Sequence, residues 1–416
     1  MIRIGIVGCG RILAAHLRGY RLLREAGFDN FQITALCARK HDDAAMYVAR
    51  GSGPPQRPAC SDLAGDPLAI GDEYLSDFQP GVDVKLYTDY REMIAAGPID
   101  AVNDFSTHAL HHQVADASFA AGKHLLTQKP LAVTVAAARR MCAEAERRNL
   151  TFGVFENFRY APITRQLRWA FESGTAGRLQ MFLLGYAGVW WAPDQIVAQT
   201  PWRHVRAEAG GISLDLGVHF LHQLRYIAGD IKSISAQTAI LEPRRFTRDS
   251  SGKVVAEQAC DADDTFSAHL ETTGGTIGSL YASWGGHGTA TRTGEGTVFY
   301  GSRGRITGEE FALDGGTRRK LADLYAEQAD PALQAVHFPK GLTDSFALAQ
   351  LDWLHAVEQG SQPETSGREG LADLAAAYAI LESAYAGRTV SIDDVVSGRL
   401  RDFQRSLDEQ FGLLGD

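Results

Sequence analysis

The chain has 416 residues, too many for one compact core, so two domains are expected. Hydrophobic residues make up 45% and charged residues 22%, which fits a folded globular protein and excludes large-scale disorder. Acidic residues outnumber basic ones by 50 to 41, a net charge of −9, and this argues against nucleic acid or an anionic membrane as the main partner.

The chain opens Met1-Ile2-Arg3-Ile4-Gly5-Ile6-Val7, a short apolar run that meets glycine at once and does not read as a signal peptide. No apolar run approaches the length of a membrane-spanning helix, so a cytoplasmic protein is expected. Cys9, Cys37, Cys60, Cys142 and Cys260 are odd in number and lack zinc-pair spacing. They read as free thiols in a reducing compartment.

In chain order, Ile2 to Val7 is a buried strand and Ile12 to Glu25 a helix. Strands follow at Gln32 to Cys37, Val84 to Tyr87, Ile99 to Phe105, His124 to Thr127 and Thr151 to Phe155. Helices near Asp89 to Ala96, Ala109 to Ala121 and Val133 to Asn149 alternate with them. The alternation predicts α/β architecture with a doubly wound parallel sheet over residues 1–156. Gly51 to Asp83 interrupts it with five prolines and five glycines, and reads as a surface insertion near the adenine end of a cofactor, or as an inert loop. From 157 to 416 the pattern changes. Strands at Leu179 to Tyr186, Ile231 to Ile240, Thr265 to Thr272, Thr276 to Ser283 and Gly296 to Tyr300 predict an open, largely antiparallel sheet. Helices are expected at Leu214 to Ile227, Ser345 to Glu358 and Arg368 to Tyr385.

Gly8-Cys9-Gly10-Arg11-Ile12 joins the first strand to the first helix. Gly8 permits a tight turn, Gly10 lets backbone approach a pyrophosphate, and the helix N-terminus offers free N–H groups. The usual third glycine is Leu13 here, so the alternative is a glycine turn without a ligand. After the second strand comes Ala38-Arg39-Lys40, with no carboxylate for a ribose 2′-hydroxyl and two cations instead. This favours NADP, with NAD as the alternative if Arg39 only stacks on adenine.

Three clusters carry the expected chemistry. Gln128-Lys129-Pro130 lies past the end of a parallel strand, where ligands of open sheets bind, and Lys129 there can hold a hydroxyl. Asp215 and His219 are four residues apart and share a helical face. His219 suits the base for a hydroxyl proton, and Asp215 suits orienting the imidazole or binding substrate. Asn157, Arg159 and Tyr160 follow the last parallel strand, while Trp190, Trp191, Trp202 and Arg203 fall on loops; aromatic faces with Arg donors suit a polyhydroxylated ring. Asp215, His219 and His222 could also share a metal, as could His108, His111 and His112, but neither run has an established spacing and no metal is expected.

The chain resembles the glucose–fructose oxidoreductase/inositol dehydrogenase/MocA (Gfo/Idh/MocA) family. The likeness rests on Gly8-Cys9-Gly10-Arg11-Ile12 with His16, on Ala121-Gly122-Lys123-His124 leading to Lys129-Pro130, and on Gly210-Gly211 leading to Asp215, Gly217 and His219. It implies a Rossmann domain, a C-terminal α/β domain whose sheet often forms the oligomer interface, and a homodimer or homotetramer. It implies oxidation or reduction of a sugar, cyclitol or related polyol, with Lys129, Asp215 and His219 as the catalytic group. The cofactor would contact Gly8 to Ile12, Ala38 to Lys40, Ser106-Thr107-His108 and Gln128 to Pro130. Lys129, Asn157, Arg159, Tyr160, Trp202, Arg203, Asp215, His219 and His222 would face the substrate. Gln128 replaces the family's usual Glu, His222 its frequent Asp, and Thr107-His108 its frequent Thr-Pro. Two other functions stay open: an enzyme that retains NAD and cleaves glycosides by transient oxidation, and a non-catalytic NADP(H) sensor.

Overall fold

Short β-branched strands separated by Ala-rich helices build the first sheet. In the computed structural model, which describes residues 1–61, 65–188, 194–289, 291–292 and 297–414, this sheet contains β1 (Ile2–Val7), β2 (Phe31–Cys37), β3 (Lys85–Tyr87), β4 (Ala101–Asp104), β5 (His124–Gln128) and β6 (Phe152–Phe155). Its order is β3-β2-β1-β4-β5-β6 and every pair is parallel. This is the doubly wound Rossmann order, and the chain reverses direction of winding between β1 and β4. The crevice at that switch point is where such sheets bind ligands.

The connecting helices are α1 (Leu13–Glu25), α2 (His41–Ala45), α3 (Tyr90–Ala96), α4 (His108–Ala120) and α5 (Val135–Arg147). α5 starts where the Thr134 hydroxyl accepts from the Ala137 N–H at 3.3 Å. α4 runs out into Gly122 at φ +68°, as its C-terminal glycine predicted.

The second sheet follows α6 (Pro162–Glu172). It holds β7 (Leu179–Ala187), β8 (Ile231–Ala239), β11 (Thr265–Thr272), β12 (Ile277–Ser283), β13 (Thr291–Arg292), β14 (Val298–Gly301), β15 (Gly304–Thr307), β16 (Glu310–Leu313), β17 (Arg318–Lys320) and β18 (Val390–Ser391). A separate hairpin pairs β9 (Arg244–Arg248) with β10 (Val254–Ala259). The main order is β17-β16-β15-β14-β7-β12-β11-β8-β18, with β13 beside β7. Only β7 with β12 is parallel, so the sheet is largely antiparallel as expected. Alternation decides its faces: Phe266, Ala268 and Leu270 of β11 turn into the core while Ser267 and His269 face out.

Several expectations need correction. The helix read at Leu214 to Ile227 is two pieces, a π-helical turn over Ser213–Gly217 and then α7 (Val218–Ala228). Apolar periodicity does not distinguish the wider turn. The strand read at Gly296 to Tyr300 begins at Val298, and residues 293–296 lie outside the described residues, as do Trp190 and Trp191. The described residues of the stretch Gly51 to Asp83 pack against the first sheet's helices and the glycine turn. Leu75 and Glu73 are buried in it, Arg21 of α1 pairs with Glu73, and Arg57 donates to the Cys9 carbonyl at 3.1 Å.

The C-terminal helices, after α8 (Leu321–Gln328) and α9 (Pro331–His337), return to the first sheet. α10 (Ser345–Gln359) lies along α1 so closely that a Cβ on Gly19 would strike the Gln350 side chain. Gln350 donates to the His16 carbonyl at 3.0 Å, and Trp353 to the Leu125 carbonyl at 3.3 Å. The open edge of β6 is covered in turn: Val154 N–H donates to Thr365 at 2.8 Å. α11 (Gly367–Ala386) then packs against β8, α5 and α7 together.

Candidate active site

The carboxyl ends of β1, β4, β5 and β6 deliver most of the polar residues singled out in the sequence. At the end of β1, Gly8 adopts φ +96°, and a Cβ there would stand 2.5 Å from the Phe105 carbonyl carbon. Only glycine lets β1 turn this close to the end of β4. A Cβ on Gly10 would meet nothing within 4 Å. α1 then begins at Leu13 without an acidic residue or side-chain cap in its first turn. Open space over Gly10 beside an uncapped helix N-terminus fits a dinucleotide pyrophosphate. Cys9 is buried with its Sγ 3.6 Å from the Cys37 carbonyl, and Arg11 reaches the Pro58 carbonyl at 2.5 Å and Gln199 Oε1 at 2.8 Å; Ile12 flanks α1 as its N-cap. At the end of β2, Ala38 is buried while Arg39 and Lys40 are exposed.

At the end of β4, Ser106 N–H donates to Asp104 at 3.0 Å, Thr107 precedes α4, and His108 is its first residue. At the end of β5, Gln128 is wedged between two groups. Its amide donates to His16 Nε2 at 2.8 Å, and its Oε1 accepts from the Lys129 N–H at 3.1 Å. The Lys129–Pro130 bond is cis.

Lys129 crosses to the second half of the chain. Its Nζ donates to Asp215 Oδ1 at 3.0 Å and to the Asp215 carbonyl at 2.6 Å. Arg203 Nε donates to the other carboxylate oxygen, Oδ2, at 2.9 Å, and its guanidinium lies 4.4 Å over Trp202. Burial opposes the Asp215 charge, but Arg203 and Lys129 outweigh it and hold the carboxyl far below its usual range. An ammonium has three donors, so one Lys129 N–H is left without an acceptor among the described residues.

Asp215 is therefore not the partner of His219. That partner is Glu156, directly after β6, which the sequence reading did not single out. His219 Nδ1 donates to Glu156 Oε1 at 2.6 Å, and Phe158 stacks on the imidazole with centroids 4.3 Å apart and planes 16° apart. Glu156 is 1% exposed. Burial pushes the His219 pKa below its usual value despite Glu156, and Lys129 adds to the lowering. Burial also resists the Glu156 charge, yet the facing His219 brings its pKa below the ordinary carboxylate value. The pair is a carboxylate and a neutral imidazole, with Nδ1–H fixed toward Glu156 and the lone pair on Nε2. The only available signal was position: a carboxylate at the carboxyl end of a buried parallel strand.

The other expected substrate contacts point elsewhere. Arg159 Nε donates to His222 Nε2 at 3.0 Å, and His222 Nδ1 donates to Asp373 at 2.6 Å. Arg159 also pairs with Glu369 at 2.7 Å. Tyr160 donates to Asp352 at 2.7 Å, and Asn157 to Ser345 at 3.2 Å. Arg159, Tyr160 and His222 are buried. Asp215, His219 and His222, the possible metal set, each take a different partner. Among the described residues no group of three or more His, Cys, Asp or Glu gathers to hold a metal.

Two family models match the chain: the GFO/IDH/MocA C-terminal domain over residues 164–307, and the oxidoreductase family, NAD-binding Rossmann fold, over residues 68–156. D-apiose dehydrogenase of Paraburkholderia graminis is 26% identical over 93% of this chain and 88% of its own. Myo-inositol 2-dehydrogenase of Thermotoga maritima is 25% identical over 95% and 100%. The solved structure of a levoglucosan dehydrogenase in complex with NADH and L-sorbose superposes with a TM-score of 0.73 at 20% identity, covering 94% of this chain and 98% of that one.

The Glu156 charge raises the affinity of His219 for a proton, so removing it has a definite sign. In Glu156→Gln the His219 pKa is expected to fall below its value in the unaltered protein, read by histidine NMR across a pH titration. A pKa that held still or rose would show that Glu156 does not set the imidazole's charge.

Proposed function

The chain belongs to the Gfo/Idh/MocA family of oxidoreductases, and from that premise we propose that it moves a hydride between a nicotinamide dinucleotide and a secondary alcohol or ketone of a sugar, cyclitol or related polyol. The observation that carries this is a Lys129 ammonium whose third N–H no described residue takes, acting electrostatically on a His219 imidazole whose Nε2 has no partner among the described residues. When bound, the dinucleotide supplies the hydride acceptor or donor. Gly8 to Ile12 would hold its pyrophosphate.

In the oxidative direction the remaining Lys129 N–H holds the substrate oxygen. His219 Nε2 takes the hydroxyl proton, and Glu156 stabilises the resulting imidazolium through Nδ1–H. Asp215 fixes Lys129 through two hydrogen bonds and is itself fixed by Arg203. In the reductive direction His219 returns the proton. Trp202 and Arg203 line the substrate side.

Arg39 and Lys40 support NADP. Both are exposed at the end of β2, where a carboxylate would otherwise accept from a ribose 2′-hydroxyl. Homo-oligomerisation is assigned to the outer face of the second sheet. A groove of about 350 Å³ crosses it, with Met181, Leu183, Ile277 and His269 in its walls, and Ile277 is 57% exposed.

Lys129→Ala is expected to lower kcat on a polyol found by screening by about 100- to 10,000-fold while leaving cofactor Kd within about threefold. Unchanged turnover would remove Lys129 from the reaction. Arg39→Ala is expected to weaken NADPH by about 10- to 100-fold and NADH by less than about twofold in fluorescence titration; an unaltered protein that prefers NADH would end the NADP reading. Ile277→Asp is expected to shift the sedimentation coefficient of the assembled protein to that of a monomer, and an unmoved coefficient would place the interface elsewhere.

A further inference from the structure

His108 takes no part in the steps above. It lies at the carboxyl end of β4, is 4% exposed, and directs Nδ1 at the Ala209 carbonyl oxygen 3.2 Å away. A carbonyl only accepts, so Nδ1 carries the proton and Nε2 presents a lone pair. Nε2 has no partner among the described residues. The ring stands edge-on to Trp202, with centroids 4.6 Å apart. Ala209 and Trp202 both belong to the 202–215 segment that carries Arg203 and Asp215. The Asp215 and Lys129 charges both act on the ring. Burial, the main cause, holds the His108 pKa down to about 3, so the ring is neutral at any working pH. It is an acceptor rather than a base.

We propose that His108 Nε2 accepts a hydrogen bond from a second substrate hydroxyl, one that is not oxidised, and so selects among polyols. This rests on the polyol reading above. A site whose buried acceptor is matched by a substrate hydroxyl rejects the analogue that lacks it, because the acceptor is then left unpaired. Its contacts with the 202–215 segment and the Asp215 charge acting on it put the ring on the Asp215 side of the site.

The test uses the best polyol from a screen and its monodeoxy analogues, with the full-length protein. The unaltered protein is expected to prefer the parent over one analogue by about tenfold or more in kcat/KM. His108→Phe keeps a ring against Trp202 and removes both nitrogens. It is expected to raise KM for the parent by about tenfold, leave the acid limb of the pH profile in place, and reduce the preference to about twofold or less. His108→Gln, whose carbonyl can accept, is expected to recover part of that preference. If His108→Phe does not fold, His108→Ala carries the same comparison. A preference undiminished in the variant would overturn the inference, as would a raised cofactor Kd with polyol KM unchanged, which would give the nitrogen to the cofactor. An unaltered protein that turns over no polyol overturns the polyol reading itself, and the inference with it, without reference to His108.

Discussion

A carboxylate in a protein interior keeps its charge only if cations or hydrogen-bond donors are brought to it. Asp215 meets that demand with two cations from separate parts of the chain. Lys129 arrives from the end of β5, and Arg203 from the turns before the π-helical segment. Much of the local backbone serves this meeting. Gly211 has φ +116°, and a Cβ there would collide with Asp263. A Cβ on Gly210 would stand 2.6 Å from the Trp202 carbonyl. The glycine pair lets the chain double back beneath Trp202 and Arg203 before Asp215. The π turn at Ser213–Gly217 then widens the helix, and Asp215 and His219 reach separate partners instead of each other.

Beneath this layer runs a second one. His222 lies between Arg159 and Asp373, Asp373 also receives Arg225, and Arg159 reaches Glu369. Charges alternate through the set, and α11 supplies both carboxylates. Removing the fully buried Asp373 would strand a buried charge, at a cost of about 3–5 kcal/mol. The set anchors the base of α7, and so the height at which His219 meets Glu156. Rigid placement of a base is a larger contribution to proton transfer than a favourable pKa alone.

Much of the fold was legible in the sequence because the first sheet's strands are short buried runs, the strands of the second alternate, and several helices end on glycines. β1 and β11 match the residues read for them. The Lys129 and Asp215 pairing was legible as a set of motifs, though not as an ion pair. Glu156 was not, because a single carboxylate after an apolar strand carries no periodic mark. Arg159, Tyr160 and His222 looked like ring-binding residues by type alone. Their burial is decided by α10 and α11, whose partner residues lie 151 to 210 positions away in sequence, and no local pattern carries that information. The same holds for the π turn, whose hydrophobic spacing is that of an ordinary helix.

The return of α10 to α1 bears on how the protein is made. The first sheet is finished in sequence at Phe155, yet one of its helical faces and its β6 edge are sealed by residues 345–366. During synthesis those surfaces stay wet until residues 345–366 have left the ribosome. The dinucleotide-binding half therefore cannot close as an independent early unit, and its exposed edge is a place for chaperones to act or for nascent chains to stick together.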